Sequence, residues 1–437
     1  MIFFIARSIM LAVADNGVRR KDTCIRVFPP NPIFFARMDD GVHRRGFHAR
    51  AGTPFFFQNG NRGYKQMALL FEGETRIPSG CAISGIFDAS GRRMDGSSII
   101  RSISTMHDRS NGLGGGFAGY GIYPEYKQYY ALHIFYSSLS AKHETELFLE
   151  TKFDIVNLSK IPVRKHPRIH DEPLIWRYFV APLQTKLAAS QLDELEYTGR
   201  AVNHVNSMID GAFIFSSGKN MGVFKAVGYP EDVGEFYRLD EYAGYAWTAH
   251  GRYPTNTPGW WGGAHPFAFL DWTVVHNGEI SSYDANRRFV EMFGYKCNLQ
   301  TDTEVITYII DYLVRKQGLT LTEAAKVIAA PFWETISKIE DEKQRREAEF
   351  LRRQFSELLV TGPFSIILGF NGGLMALNDR LKLRSMVAAQ KGCVTYFASE
   401  ECAIRVVESD LDKIWSPRGG EPVVVELNEE GKRNVAG

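Results

Sequence analysis

Ile77-Pro78-Ser79-Gly80-Cys81-Ala82-Ile83-Ser84-Gly85-Ile86-Phe87 sets a Pro-Ser-Gly turn and a cysteine directly against a short apolar run. Residues 82–87 read as a buried strand, because a brief apolar stretch bounded by turn formers suits a two-sided strand. A cysteine ahead of such a strand is usually a small buried hydrophobe. It is a nucleophile if the chain is cut before it, since the freed α-amine, with an ordinary pKa near ~8, can take the thiol proton.

Composition narrows the alternatives. A chain of 437 residues with 44% hydrophobic and 23% charged residues and a formal charge of +1 is globular. It can bury one large core or two ordinary ones, and it lacks the field to hold nucleic acid or a membrane surface. The five cysteines, at 24, 81, 297, 393 and 402, form no C-x-x-C pair. Neither a zinc ribbon nor an iron–sulfur site is therefore written here, and so sparse a set fits a reducing cytoplasm. No run approaches the ~18 apolar residues of a membrane span.

The charge is unevenly placed. Residues 1–66 carry eleven Lys or Arg against four Asp and no Glu, which leaves the remainder about −6. Arg7 interrupts the opening apolar run, as a secretory signal would not. An Arg-rich, Glu-free stretch can also pass for a transit peptide; translation is instead expected from Met67, with residues 1–66 an over-extended, non-domain leader.

Downstream, residues 88–91 read as a turn, 96–106 as an amphipathic helix and 121–123 as a strand. Gly114, Gly116 and Gly119 match G-x-G-x-x-G but follow a helix and open a strand, the reverse of a dinucleotide loop. They mark a close helix–strand approach instead. Residues 130–136 and 146–153 read as strands, 194–208 as a helix, and 212–215 with 221–227 as a hairpin. Pro167 between His166 and His170 argues against a helical metal pair. Helices follow at 303–316 and 321–330, then a charged one at 338–359 that suits a solvated face or partner surface. Short strands return at 364–369, 374–377, 394–398 and 423–426. With no βαβ rhythm, the pattern favours α+β layers over a doubly wound sheet.

Three more segments carry candidate chemistry. Arg252, in His250-Gly251-Arg252-Tyr253-Pro254-Thr255-Asn256-Thr257, is either a solvated charge or a planar fork for a small carboxylate. Asn277-Gly278, after Val274-Val275-His276, is a hairpin turn or an oxyanion hole made of a side-chain amide and a backbone N–H. Asp302, in Thr301-Asp302-Thr303-Glu304, caps a helix or binds a substrate ammonium. Together with Cys81 these supply a nucleophile, a carboxylate clamp, an oxyanion hole and an ammonium partner, the equipment for hydrolysing the side-chain amide of glutamine.

With those segments in view, the chain resembles a class II glutamine amidotransferase, an N-terminal-nucleophile hydrolase, and is most similar to the amidotransferase part of glutamate synthase. Further matching pieces are His107-Asp108-Arg109-Ser110-Asn111-Gly112, Gly263-Ala264-His265-Pro266-Phe267, Gly362-Pro363-Phe364, Asn378-Asp379-Arg380 with Leu383-Arg384, and Ala398-Ser399-Glu400. They run in order over roughly residues 79–427, with His265 where the family usually has Gln. The resemblance implies a four-layer αββα sandwich of two antiparallel sheets over 81–430, an insertion at about 125–210, and a propeptide at 67–80 removed to free Cys81. It implies Cys81, Asn277 and Gly278 as catalytic residues and Arg252 and Asp302 as binders of L-glutamine. It also implies no cofactor or metal in this chain, with FMN on a separate glutamate synthase subunit. The alternatives are an amidotransferase for another acceptor and a non-catalytic glutamine-sensing subunit.

Overall fold

The apolar run after Cys81 forms the Ala82–Asp88 strand, and every residue in it is buried. The computed structural model describes residues 80–253 and 259–436. The expected leader, residues 67–79 of the expected propeptide, and residues 254–258 of the Arg252 segment lie outside the described residues.

Ala82–Asp88 is the fourth of seven strands in one antiparallel sheet. The spatial order is Lys413–Trp415, Val387–Lys391, Val394–Ala398, Ala82–Asp88, Ala246–Gly251, Gly115–Tyr120, Met221–Ala226. A second antiparallel sheet runs Phe267–Phe269, Trp272–Gly278, Phe364–Phe370, Gly373–Asn378, Val423–Glu426. The alternation of side chains along a strand explains how the second sheet serves two cores. Val275, Ile367, Leu374 and Ala376 join Ile83, Phe87 and Phe397 in the core between the sheets. Their neighbours Val274, Ile366, Leu368, Met375 and Leu377 pack instead with Val305, Ile309 and Ala325 of the helices beyond. Burying each such large side chain contributes about 1.5–3 kcal/mol. Helices Ser97–Ser104 and Pro230–Phe236 pack on the first sheet, and Asp302–Asp311 packs on the second. The result is an α+β sandwich with helices outside two face-to-face antiparallel sheets.

Residues 130–216 build a third antiparallel sheet, ordered Phe153–Lys160, Leu174–Pro182, Tyr130–Tyr136, Ala212–Ser216. Helices Leu139–Glu150 and Glu194–Met208 pack against it. This is the stretch in which the sequence suggested an insertion.

Several local expectations need correction. The strand expected at 146–153 is mostly the Leu139–Glu150 helix: Ser138 Oγ accepts the Ala141 N–H at 3.1 Å as its cap, and Ala141, Thr145 and Leu149 recur at helical spacing on the buried face. The expected hairpin at 212–227 does not form. Ala212–Ser216 and Met221–Ala226 belong to different sheets, because Lys219 N–H binds Asp271 Oδ1 at 2.7 Å and Leu270 N–H binds Ser217 Oγ at 2.9 Å, which carries the connection across. The helix expected at 338–359 is shorter, Glu342–Gln354 followed by a single turn at Ser356–Leu358; Asp341 starts it, its carboxylate accepting the Gln344 N–H at 2.7 Å. The strand expected at 121–123 lies earlier, at Gly115–Tyr120, and takes in two glycines of the G-x-G-x-x-G match. Gly116 is required there because a Cβ would stand 2.2 Å from the His265 carbonyl oxygen of the facing segment.

Candidate active site

The register of the first sheet decides what faces Cys81. Ala82 pairs with Gly251 and Ile83 with His250, so the cysteine comes level with Arg252 and Tyr253. The Tyr253 N–H donates to Cys81 Sγ at 3.3 Å. Arg109 Nε donates to the Cys81 carbonyl at 3.0 Å, and the same guanidinium pairs with Glu400 at 2.8 Å. Tyr253 thus holds the cysteine's sulfur and Arg109, itself anchored by Glu400, holds its carbonyl. Burial pushes the thiol above its ordinary pKa; the Tyr253 N–H and the charges of Arg252 and Arg384 oppose this, and Asp302 adds to it.

Asn277-Gly278 is no hairpin turn. Both residues end the Trp272–Gly278 strand, where Asn277 pairs with Ser365 and Gly278 with Phe364. The chain turns only where it must: Gly278 has φ +155°, and a Cβ there would stand 2.0 Å from the Pro363 carbonyl oxygen. The β-branched pair Val274-Val275 continues as strand because both its faces are buried, which outweighs the turn preference of the dipeptide. Asn277 Nδ2 donates to Ser399 Oγ at 3.3 Å, and Ser399 Oγ accepts the Ile83 N–H at 3.1 Å. Ser399 therefore ties the end of the second sheet to the strand that carries Cys81. One hydrogen of the Asn277 amide is spoken for; an amide nitrogen has two.

Asp302 opens the Asp302–Asp311 helix, capped by Thr301. Its carboxylate accepts the Ile280 N–H at 3.1 Å and lies 3.6 Å from His276 Nδ1. Burial alone would raise its pKa; His276, the Ile280 N–H and the Thr303 hydroxyl outweigh this and hold it below the usual carboxylate range. Arg252 is 5% exposed, and its carbonyl accepts from Ser110 Oγ at 3.1 Å and Asn111 N–H at 3.2 Å. Thr301, whose hydroxyl accepts the Thr303 N–H at 3.4 Å, takes the capping role, and Asp302 places the charge. The structure thus gathers Cys81, Arg252, Asn277, Gly278 and Asp302 about one end of the paired sheets.

The family model described as "Glutamine amidotransferases class-II" matches residues 137–432. The chain belongs to the class II glutamine amidotransferases. An uncharacterized protein of Archaeoglobus fulgidus is 49% identical over 355 residues, which is 80% of this chain and 93% of that protein. An amidophosphoribosyltransferase of Methanocaldococcus jannaschii is 26% identical over 48% of this chain and 39% of its own length. A glutamine–fructose-6-phosphate aminotransferase of Sulfurisphaera tokodaii is 33% identical over 32% of this chain and 23% of its own length. The chain therefore spans well under half of each of these two enzymes.

Within this amidotransferase the structure adds residues that the sequence quoted but gave no role. His276 Nδ1 and His265 Nε2 both reach Thr303 Oγ1, at 3.1 and 3.4 Å, and the His265 ring stacks on His250 with centroids 3.9 Å apart. Burial lowers His250 to about 3 and holds His265 far below its ordinary value, so both rings are neutral. They form a packed backing behind Asp302. Tyr253, Ser399, Arg109 and Thr303 all lie within matched segments; Tyr253 and Thr303 adjoin Arg252 and Asp302, whereas Ser399 and Arg109 are far in sequence from every predicted site residue. Their contacts join segments distant in sequence, which no spacing reveals. Among the described residues no group of three or more His, Cys, Asp or Glu could hold a metal ion, and no helix is long and apolar enough to cross a membrane.

Proposed function

We propose that this chain is a cytoplasmic glutaminase that hydrolyses L-glutamine to glutamate and ammonia through a Cys81 thioester. The observation that carries this reading is the Tyr253 N–H on Cys81 Sγ, because it sets the sulfur beside Arg252 in a chain of this family. The raised thiol needs a base, and cleavage before Cys81 would supply its own α-amine. The thiolate attacks the amide carbon; Asn277 Nδ2 and the Gly278 N–H hold the oxyanion. The C–N bond breaks as the nitrogen takes a proton and leaves as ammonia, and water then cleaves the γ-glutamyl thioester to glutamate. Arg252 takes the substrate α-carboxylate bidentately, and Asp302, ionised across the neutral range, takes the α-ammonium. The test is glutamine turnover by Cys81→Ser protein; a rate equal to the unmutated chain sinks the mechanism.

The ammonia goes, in this reading, to a separate glutamate synthase subunit bearing FMN. Support comes from the Arg252-Tyr253-Pro254-Thr255-Asn256-Thr257 and Ala264-His265-Pro266-Phe267 segments. A second reading, delivery to another acceptor, is favoured by the names of the two shorter-matching relatives, neither of which is a glutamate synthase. Mixing the chain with an FMN-bearing synthase subunit separates them: glutamine-dependent reductive amination of 2-oxoglutarate supports the first, and its absence beside intact glutaminase activity supports the second.

A further inference from the structure

A cavity of about 920 Å³ opens between the third sheet and the Gly259–Trp261 stretch, away from Cys81. That volume is within the range of small-molecule sites. Its wall is aromatic. Phe135 and Phe213 are cross-strand partners in the third sheet, Phe213 lies 5.7 Å from the Trp260 ring, and Phe135 meets Trp261 edge-on at 5.7 Å. Trp260 is the exception among these rings: it is 42% exposed, although its neighbours are largely buried. A large indole that touches Phe213 only at a tilt and stays 42% exposed on a cavity wall leaves ring surface open for stacking.

The charges around the mouth are uneven. Asp171 and Asp210 line it, both exposed, and neither makes an ion pair among the described residues. The single guanidinium there, Arg168, is bound to Asp232 at 2.8 Å. Phosphate or carboxylate ligands would meet two carboxylates without an ion pair among the described residues, and, of the lining's basic groups, an engaged Arg168 and the exposed His170 imidazole. A cationic ring would meet carboxylates at the rim and an aromatic face within, the pairing that favours ammonium groups.

The cavity also abuts the glutamine side. The Trp260 ring lies over Gly262 and Gly263: a Cβ on Gly263 would stand 2.7 Å from Trp260 Nε1 and 3.5 Å from Arg252 Nη1. Lys225 Nζ pins the same stretch through the carbonyls of Gly262, at 2.9 Å, and Pro266, at 3.3 Å. One ring thus has the cavity on one side and the backbone beside Arg252 on the other.

We propose that this cavity binds an aromatic amine in its cationic form, stacked on Trp260 with its ammonium toward Asp171 and Asp210. Through Trp260 and Gly263 the occupant changes the setting of Arg252; this second part rests on the glutaminase reading. Calorimetric titration of the full chain, without glutamine, uses tryptamine and indole-3-acetate, which share a ring and carry opposite charges. Tryptamine is expected to bind at least ten-fold more tightly than indole-3-acetate. The double variant Asp171→Asn, Asp210→Asn, at two exposed positions, is expected to weaken tryptamine at least five-fold. Equal affinities for the two probes, no tryptamine binding at millimolar concentration, or an unchanged affinity in the double variant each overturns the site. Saturating tryptamine is further expected to move the KM for glutamine at least three-fold; an unmoved KM overturns the link to Arg252. A chain that binds tryptamine yet hydrolyses no glutamine would keep the site and lose the glutaminase reading.

Discussion

On the Cys81 side of Arg252, the contacts are made at strand ends and one helix start by polar groups from short motifs: the Tyr253 N–H, Ser399 Oγ, Asn277 Nδ2 and the Asp302 carboxylate. On the Trp260 side, aromatic rings drawn from Tyr130–Tyr136, Ala212–Ser216 and the Gly259–Trp261 stretch form part of the wall, and the charged groups sit exposed at the rim. The first region is a rigid constellation in which a lost hydrogen bond leaves a buried polar atom unpaired. The second is a surface with room, where a substitution alters what binds and leaves the frame standing. Desolvation makes the difference: polar groups interact strongly where water is excluded and weakly where it is not.

Substitutions on the two sides should therefore differ by orders of magnitude. Cys81→Ser is expected to lower glutamine turnover by roughly 10³-fold or more, with melting unchanged within about 2 °C, since one sulfur is exchanged for oxygen in a fixed site. Steady-state glutaminase assay and calorimetric melting check this pair of outcomes. Asn277→Ala should lower kcat by about 10²–10³-fold, or ~2.7–4 kcal/mol of barrier, with little change in KM. A KM effect without a kcat effect would take Asn277 out of the oxyanion role. Asp302→Asn should instead raise KM by about ten-fold or more and spare kcat, because it removes a charge that binds substrate in ground and transition states alike.

The pH profile probes the same side. The Cys81 thiol is raised, so it is mainly protonated at neutral pH and its thiolate fraction grows as pH rises. Asp302 is depressed, so its carboxylate, and the binding it supports, persists above the ordinary carboxylate pKa and is lost only as pH falls through the lowered value. Turnover by the cleaved enzyme should thus rise from neutral toward alkaline pH while KM stays flat down to about pH 5. A KM that climbs on acidification through pH 6 would contradict this assignment. The smallest effect is expected across Arg252: Asp171→Asn should leave glutamine hydrolysis within about two-fold when no aromatic amine is present, as for other exposed substitutions. A large loss there would erase the contrast between the two regions.

Much of the Cys81 side was legible because it depends on residue types at strand ends and helix starts. A cysteine before an apolar run, Asn-Gly after two valines, and Asp at the head of a helix each state a local chemistry. What they could not state was which alternative won. Asn277-Gly278 has the composition of a hairpin turn, and only the pairing of Asn277 with Ser365 makes it the end of a strand. The 139–150 stretch misled because Leu147, Phe148 and Leu149 crowd three apolar residues together, although the buried spacing is helical. The 212–227 segment misled because a hairpin and a crossing between sheets share the same turn residues.

By itself the sequence determined the strand that follows Cys81, the α+β character and the identity of the polar groups that can do chemistry. These follow from hydrophobic periodicity, turn composition and side-chain chemistry, all properties of neighbouring residues. The tertiary structure alone decided that Ser399 joins the two sheets, that the 212–227 chain crosses from one sheet to another, and that Trp260 stands between a cavity and Arg252. Those outcomes depend on which distant strands pair and how closely their faces can approach, and that is set by the packing of the whole core.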